Sequence, residues 1–266
     1  MSPTPDLLRS VVLTALCGML SFGVSFPSAQ SPGAPSAASG RMLRPRLLIH
    51  VVADLDKTVA FYRDGVGFTI ASPPAPLPSS TLVHKVKSAH PNATARAATM
   101  TVPGSNLQLQ IIQFSGATAT PFTQRLYDPG VTRFSIQVRD IDLAFARVKD
   151  RGIIVDTTSA GPVFTQRPRN DTRAVMMRDP DGFVFEFVQP GAPPQTDVPA
   201  ASNVFNARSS LAVENMERAL AFYNDALGFT VTNPPNVVND AVLVLEGTLR
   251  AKARTAQTMP ARTTCG

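Results

Sequence analysis

The chain has 266 residues, 44% of them apolar and 17% charged, a balance that fits a packed globular protein and excludes a disordered one. Its net charge of +6 is spread over single Lys and Arg residues with no basic run interleaved with aromatics, so no nucleic-acid partner is expected.

At the N-terminus, Arg9 precedes an uncharged apolar run from Val11 to Phe26, followed by small residues and prolines. This is the layout of a secretory signal peptide over residues 1–30, with a linker over 31–43, and it implies export to the periplasm or the medium. The alternative is an uncleaved membrane anchor, although the run is short of the about 20 residues a spanning helix needs. Removal of the leader takes Cys17 with it and leaves Cys265 as the single cysteine, so no internal disulfide is expected.

From Leu47 the pattern becomes periodic. Leu47 to Val52 is a strand-length apolar run, and Asp54 is a good N-cap. Leu55, Val59, Tyr62 and Val66 then recur at helical spacing until Gly67. Phe68 to Ala71 reads as the return strand, and the Pro- and Ser-rich stretch after Ser72 as a loop running to about Ala95. Ala97 to Val102 and Leu107 to Phe114 read as two strands around the turn Pro103-Gly104-Ser105-Asn106. The order is βαβββ.

The same order begins again at Thr132. Arg133, Ser135 and Gln137 alternate with Phe134, Ile136 and Val138, Asp140 caps a helix, and Gly152 follows its end. Short strands are expected at Ile153 to Asp156 and Ala174 to Arg178. Asp179-Pro180-Asp181-Gly182 has the residues of a type I turn. In the closing strand, Val184, Glu186 and Val188 share one face and Phe183, Phe185 and Phe187 the face under a helix.

A third start follows a Pro-rich linker over 191–202. Arg208 to Thr230 keeps the Ala-Phe-Tyr, Asp and Gly-Phe-Thr of Leu47 to Thr69 at the same spacing, with a Pro-Pro pair at the same offset beyond. This copy covers 203–247 and stops short of a full domain. Residues 248–266 read as an irregular basic tail without a strand pattern.

Paired βαβββ units, Asp-Leu-Asp before Ala-Phe-Tyr-Arg-Asp and Gly-Phe, and Asp-Pro-Asp-Gly-Phe-Val-Phe-Glu at the end resemble the vicinal oxygen chelate superfamily of glyoxalases, bleomycin-resistance proteins and extradiol dioxygenases. The resemblance implies an α+β fold: paired modules over 44–190 forming a curved mixed sheet around a cleft, helices outside, and an incomplete second copy. It implies a divalent metal, Zn, Mn, Ni or Fe, held by first- and last-strand residues. Here those positions are Leu47, Gln110, Arg133 and Glu186, and only Glu186 is a good ligand. His50 is three residues past the family position. That odd offset turns it toward the helix layer and makes it a structural histidine; His84 and His90 read as loop residues.

The function expected is small-molecule binding without a complete metal centre, in a cleft lined by Gln108, Gln110, Arg133, Gln137 and Glu186, with no cofactor. The alternative is a metal-dependent lyase, isomerase or dioxygenase with Glu186 as ligand and catalytic base. A homodimer is the expected protein partner, because the fourth module is missing.

Overall fold

The computed structural model describes residues 47–78, 80–120, 123–165, 171–192, 194–237 and 254–260. The leader reading and the first linker lie outside them. No helix among the described residues is long and apolar enough to cross a membrane.

The first module is β1 (Leu47–Val52), α1 (Leu55–Ala60), β2 (Thr69–Pro76), α2 (Thr81–Ala89), β3 (Thr94–Thr101) and β4 (Gln108–Ser115). Its four strands form one sheet in the order β1-β4-β3-β2, with β1 parallel to β4. Asp54 starts α1 as expected, its carboxylate accepting from Lys57 N at 3.0 Å, a cap worth about 1 kcal/mol. The helix then widens into a turn of π-helix over Phe61–Val66, which buries both Phe61 and Tyr62 although they are adjacent. Gly67, at φ 97°, closes it in the left-handed region, where a side chain is strained.

The second module is β5 (Thr132–Val138), α3 (Ile141–Val148), β6 (Ile154–Val155), β7 (Val163–Phe164), β8 (Arg173–Arg178) and β9 (Val184–Gln189). After it come β10 (Val204–Leu211), α4 (Met216–Ala221), β11 (Phe229–Val237) and β12 (Arg254–Pro260). The second sheet runs β10-β5-β9-β8-β6. The first strand of the third copy therefore extends the sheet of the second module, antiparallel to β5.

The α+β fold of βαβββ modules is the one the sequence implies. Phe134, Ile136, Phe185 and Phe187 of the second sheet and Leu109, Ile111 and Met100 of the first belong to one continuous core with Leu55, Val59, Phe61 and Tyr62. Phe61 packs edge-on against Phe185, and Phe68 against Phe134. The helix-side faces of both sheets thus look inward to a shared core, and their other faces look outward.

Three expectations are corrected. The stretch from Ser72 to Ala95 is not a plain loop. Strand β2 runs through Pro73-Pro74 to Pro76, because β2 is an edge strand whose pairing with β3 is broken by two register shifts, where missing N–H groups are tolerated. Helix α2 follows, its Val83 packing with Ala95 and Ile112 on the outer face of the first sheet. The tail expected to lack strands holds β12, antiparallel to β11. Strand β7, also unforeseen, pairs with β8.

Candidate functional site

Alternation along β5 sends Phe134, Ile136 and Val138 into the core and Arg133, Ser135 and Gln137 to the outer face of the second sheet. Register then fixes their neighbours. Ser135 lies opposite Glu186 on β9 and opposite Arg208 on β10, while Arg133 lies opposite Ser210 and Gln137 opposite Asn206. Val184 and Val188 flank Glu186 on the same face, in an apolar cluster with Met176 and Val131.

Glu186 is buried there with its side chain 7% exposed, and Arg133 Nε stands 3.7 Å from its Oε1. At that distance the contact is an ion pair and not a hydrogen bond. Gln137 Oε1 accepts from Asn206 Nδ2 at 3.0 Å. Ser135 Oγ is buried and has no hydrogen-bond partner among the described residues, an omission that costs about 1–3 kcal/mol in a folded protein. Arg208 is exposed and makes no ion pair among the described residues. The face therefore carries two guanidinium groups, one carboxylate and a buried hydroxyl with hydrogen-bonding capacity left over. It suits a ligand bearing negative charge and polar atoms.

A second cluster joins the two modules. His50 on β1 is buried beside Val52, on the helix side that strand parity requires, and stacks on Phe183 at 4.5 Å. Its Nε2–H donates to Asp179 Oδ2 at 2.8 Å, and Tyr62 OH donates to the same oxygen at 3.0 Å. The other oxygen, Oδ1, accepts from Asp181 N and Phe183 N, each at 3.0 Å. The next carboxylate, Asp181, accepts from Ala53 N at 2.9 Å and Thr58 Oγ1 at 2.7 Å. The Asp179–Gly182 turn of the second module is thereby clamped onto the start of α1 in the first.

Among the described residues, the second cluster holds a grouping that could ligate a metal ion. One potential ligand atom each of His50, Asp179 and Asp181 lies within 4.8 Å of the others. Four donors already saturate the Asp179 carboxylate, however, and each oxygen of Asp181 holds a donor of its own, so the group is arranged to join two modules. The four family positions are divided between the two sheets. Leu47 and Gln110 are on the outer face of the first sheet, and Arg133 and Glu186 on that of the second. Gln108 and Gln110 sit on β4 and face away from Arg133, Gln137 and Glu186, which do share a face.

Two site residues escaped the sequence reading. Arg208 stands seven residues before the α4 cap Asn215, as Arg133 does before Asp140, and that offset could have found it. Ser135 carried no signal, since only the register shows that it faces Glu186.

Repeated βαβββ modules define a recognisable class of α+β protein. The chain belongs to the Glyoxalase/Bleomycin resistance protein/Dioxygenase superfamily, whose family model matches residues 47–187, more than half of its length. No curated protein sequence matches it. Among solved structures it is similar to glyoxalase I from Zea mays, at 20% identity over 73% of this chain and 57% of that one, with a TM-score of 0.50. A glyoxalase family protein from Bacillus cereus is 18% identical over 58% of this chain and 99% of its own, with a TM-score of 0.49. A fosfomycin resistance protein from Listeria monocytogenes, solved with Mn(II) and sulfate, is 17% identical over 54% and 88%, with a TM-score of 0.34. At 20% identity the likeness to the Zea mays enzyme speaks to the fold alone.

Proposed function

We propose that the protein is an exported small-molecule-binding member of the superfamily, and that it holds an anionic ligand with some apolar surface on the outer face of β9, β5 and β10 without a metal centre. The observation that carries this reading is the Arg133–Glu186 pair at 3.7 Å, with Arg208 across the strand from the unsatisfied Ser135 hydroxyl. A fixed guanidinium beside the one good ligand does electrostatically what a cation would do there. It also leaves Arg208 as the surplus positive charge for an incoming anion. Val184 and Val188 supply the apolar wall. The proposed partners are this ligand and a second copy of the chain.

The metal-dependent lyase, isomerase or dioxygenase reading needs Glu186 released from Arg133 and further donors brought to its face. Export is supported by the leader pattern of the sequence.

The test is calorimetric titration with phosphate, sulfate, benzoate and phenylphosphonate. At least one is expected to bind, with phenylphosphonate or benzoate ahead of the inorganic ions. Arg208→Ala should weaken it by about tenfold or more, the loss of one charge-assisted contact of about 1.5–3 kcal/mol. Binding of none of them, or binding indifferent to Arg208→Ala and Ser135→Ala, contradicts the proposal.

A further inference from the structure

The outer faces of the two sheets are built alike and covered differently. Gln113 and Gln189 each accept from the first amide of their module's helix, Leu55 N or Ile141 N. Counted back from these two, Gln110 matches Glu186, Gln108 matches Val184 and Ile112 matches Val188. In the first sheet Gln108 and Gln110 are half-buried, and Ile112 is buried with Val83 of α2. In the second sheet all three positions are buried, as are Ser135, Met176 and Val131. The side chains that the binding reading gives to the ligand are therefore covered, and a ligand reaches them only where the cover gives way.

Among the described residues, Leu126, Val163 and Ala212 pack against the apolar cluster around Val184 and Val188. Val163 and Ala212 lie beside it in the sheet, one opposite Ala174 and the other bonded to Val131. Leu126 comes to it from the loop before β5. Of residues 123–130, only Leu126 and Asp128 are not exposed. Residues 125–128 form a turn closed on itself: Arg125 N donates to Asp128 Oδ2 and Arg125 Nη2 to Oδ1, both at 2.8 Å, and Asp128 N donates to Arg125 O at 3.0 Å. The guanidinium lies over the exposed Tyr127 ring at 4.7 Å. A turn whose charges and amides are satisfied internally moves as a unit, and here its contact with the sheet face is the Leu126 side chain. It joins β5 through Pro129 and Gly130, the latter at φ 93°, where glycine is favoured.

We propose that Leu126 is a specificity-determining residue: it fills the apolar subsite in the free protein, and the apolar part of the ligand takes its place beside Val184 and Val188 as the Arg125–Asp128 turn swings about Gly130. The choice of ligand rests on the binding reading above; the movement of the turn does not. An anion with an apolar group competes with Leu126 for the cluster. An inorganic anion has nothing to put there and gains nothing when the leucine is removed.

Thiol accessibility and selectivity test this on the full chain. In a background with Cys17→Ser and Cys265→Ser, the thiol of Ser135→Cys reports opening of the face. Its alkylation by iodoacetamide is expected to be slow, to quicken about tenfold or more with Leu126→Ala and to return to the slow rate with Leu126→Met. The thermal midpoint should stay unchanged and the rate flat in low urea, as for a local opening that exposes little surface. In the calorimetric titrations, Leu126→Ala should tighten phenylphosphonate and benzoate about fivefold and leave sulfate and phosphate where they were. Alkylation indifferent to Leu126→Ala overturns the proposal, as does equal tightening of sulfate and phenylphosphonate. If none of the anions binds, the binding reading falls, and the alkylation rates alone decide whether the turn opens. If Ser135→Cys does not fold, the titrations of Leu126→Ala and Leu126→Met decide.

Discussion

Asp179→Ala is expected to destabilise the protein by about 3–5 kcal/mol, the cost of removing one partner from a buried charged cluster. The carboxylate is the common acceptor of His50 Nε2, Tyr62 OH and the amides of Asp181 and Phe183. Its loss strands four donors in a site closed to water, and the Asp179–Gly182 turn loses its hold on the first module. Asp179→Asn keeps the shape but turns one end of the side chain into a donor facing donors, so it should be destabilising by a smaller amount. Urea unfolding followed by far-ultraviolet circular dichroism reads both, since the chain has no tryptophan. A loss below about 1 kcal/mol, the net value of one ordinary hydrogen bond, would show that the joint does not hold the modules.

The same joint sets an alkaline limit. Burial, then the negative charge of Asp179, raise the Tyr62 phenol well above its ordinary 10.0. The folded chain keeps this proton where the unfolded chain gives it up. Its contribution is therefore fully present below about pH 10 and is lost as pH rises through the folded value. Tyr62→Phe should flatten that part of the stability curve while lowering the plateau by about 1.5–3 kcal/mol for the missing hydrogen bond to a charged group.

Arg133→Met is the second large effect, expected to cost about 2 kcal/mol. A buried carboxylate left without its cation typically costs about 3–5 kcal/mol. The pair here is loose at 3.7 Å and Arg133 is 27% exposed, so water recovers part of that. The double variant Arg133→Met/Glu186→Leu should regain most of the loss, because it removes the charge and its counterion together. Comparison of both single variants with the double gives the coupling directly. If Arg133→Met is neutral, the guanidinium is not what compensates Glu186.

Much of the scaffold was legible because it rests on local chemistry. Asp54 and Asp140 cap helices where the sequence places them, and the alternation in β5 and β9 sorts core from outer face residue by residue. His50 could be turned inward from its offset alone, since strand parity is independent of tertiary context. What it meets there could not: Asp179 is 129 residues away. Proline misled the reading of β2, for an edge strand tolerates residues that a central strand rejects. The outer face was half legible for the same kind of reason. Arg133, Gln137 and Glu186 share a module and a face, whereas Gln108 and Gln110 belong to a strand of the other sheet. Arg208 and Ser135 enter only through the pairing of β10 with β5.

The central claim, that Arg133 and not a metal ion faces Glu186, is tested most directly by elemental analysis of the protein purified without chelator. The account predicts no stoichiometric Zn, Mn, Ni or Fe and no rise in the thermal midpoint when these ions are added. One ion held per chain and released by Glu186→Gln would contradict it.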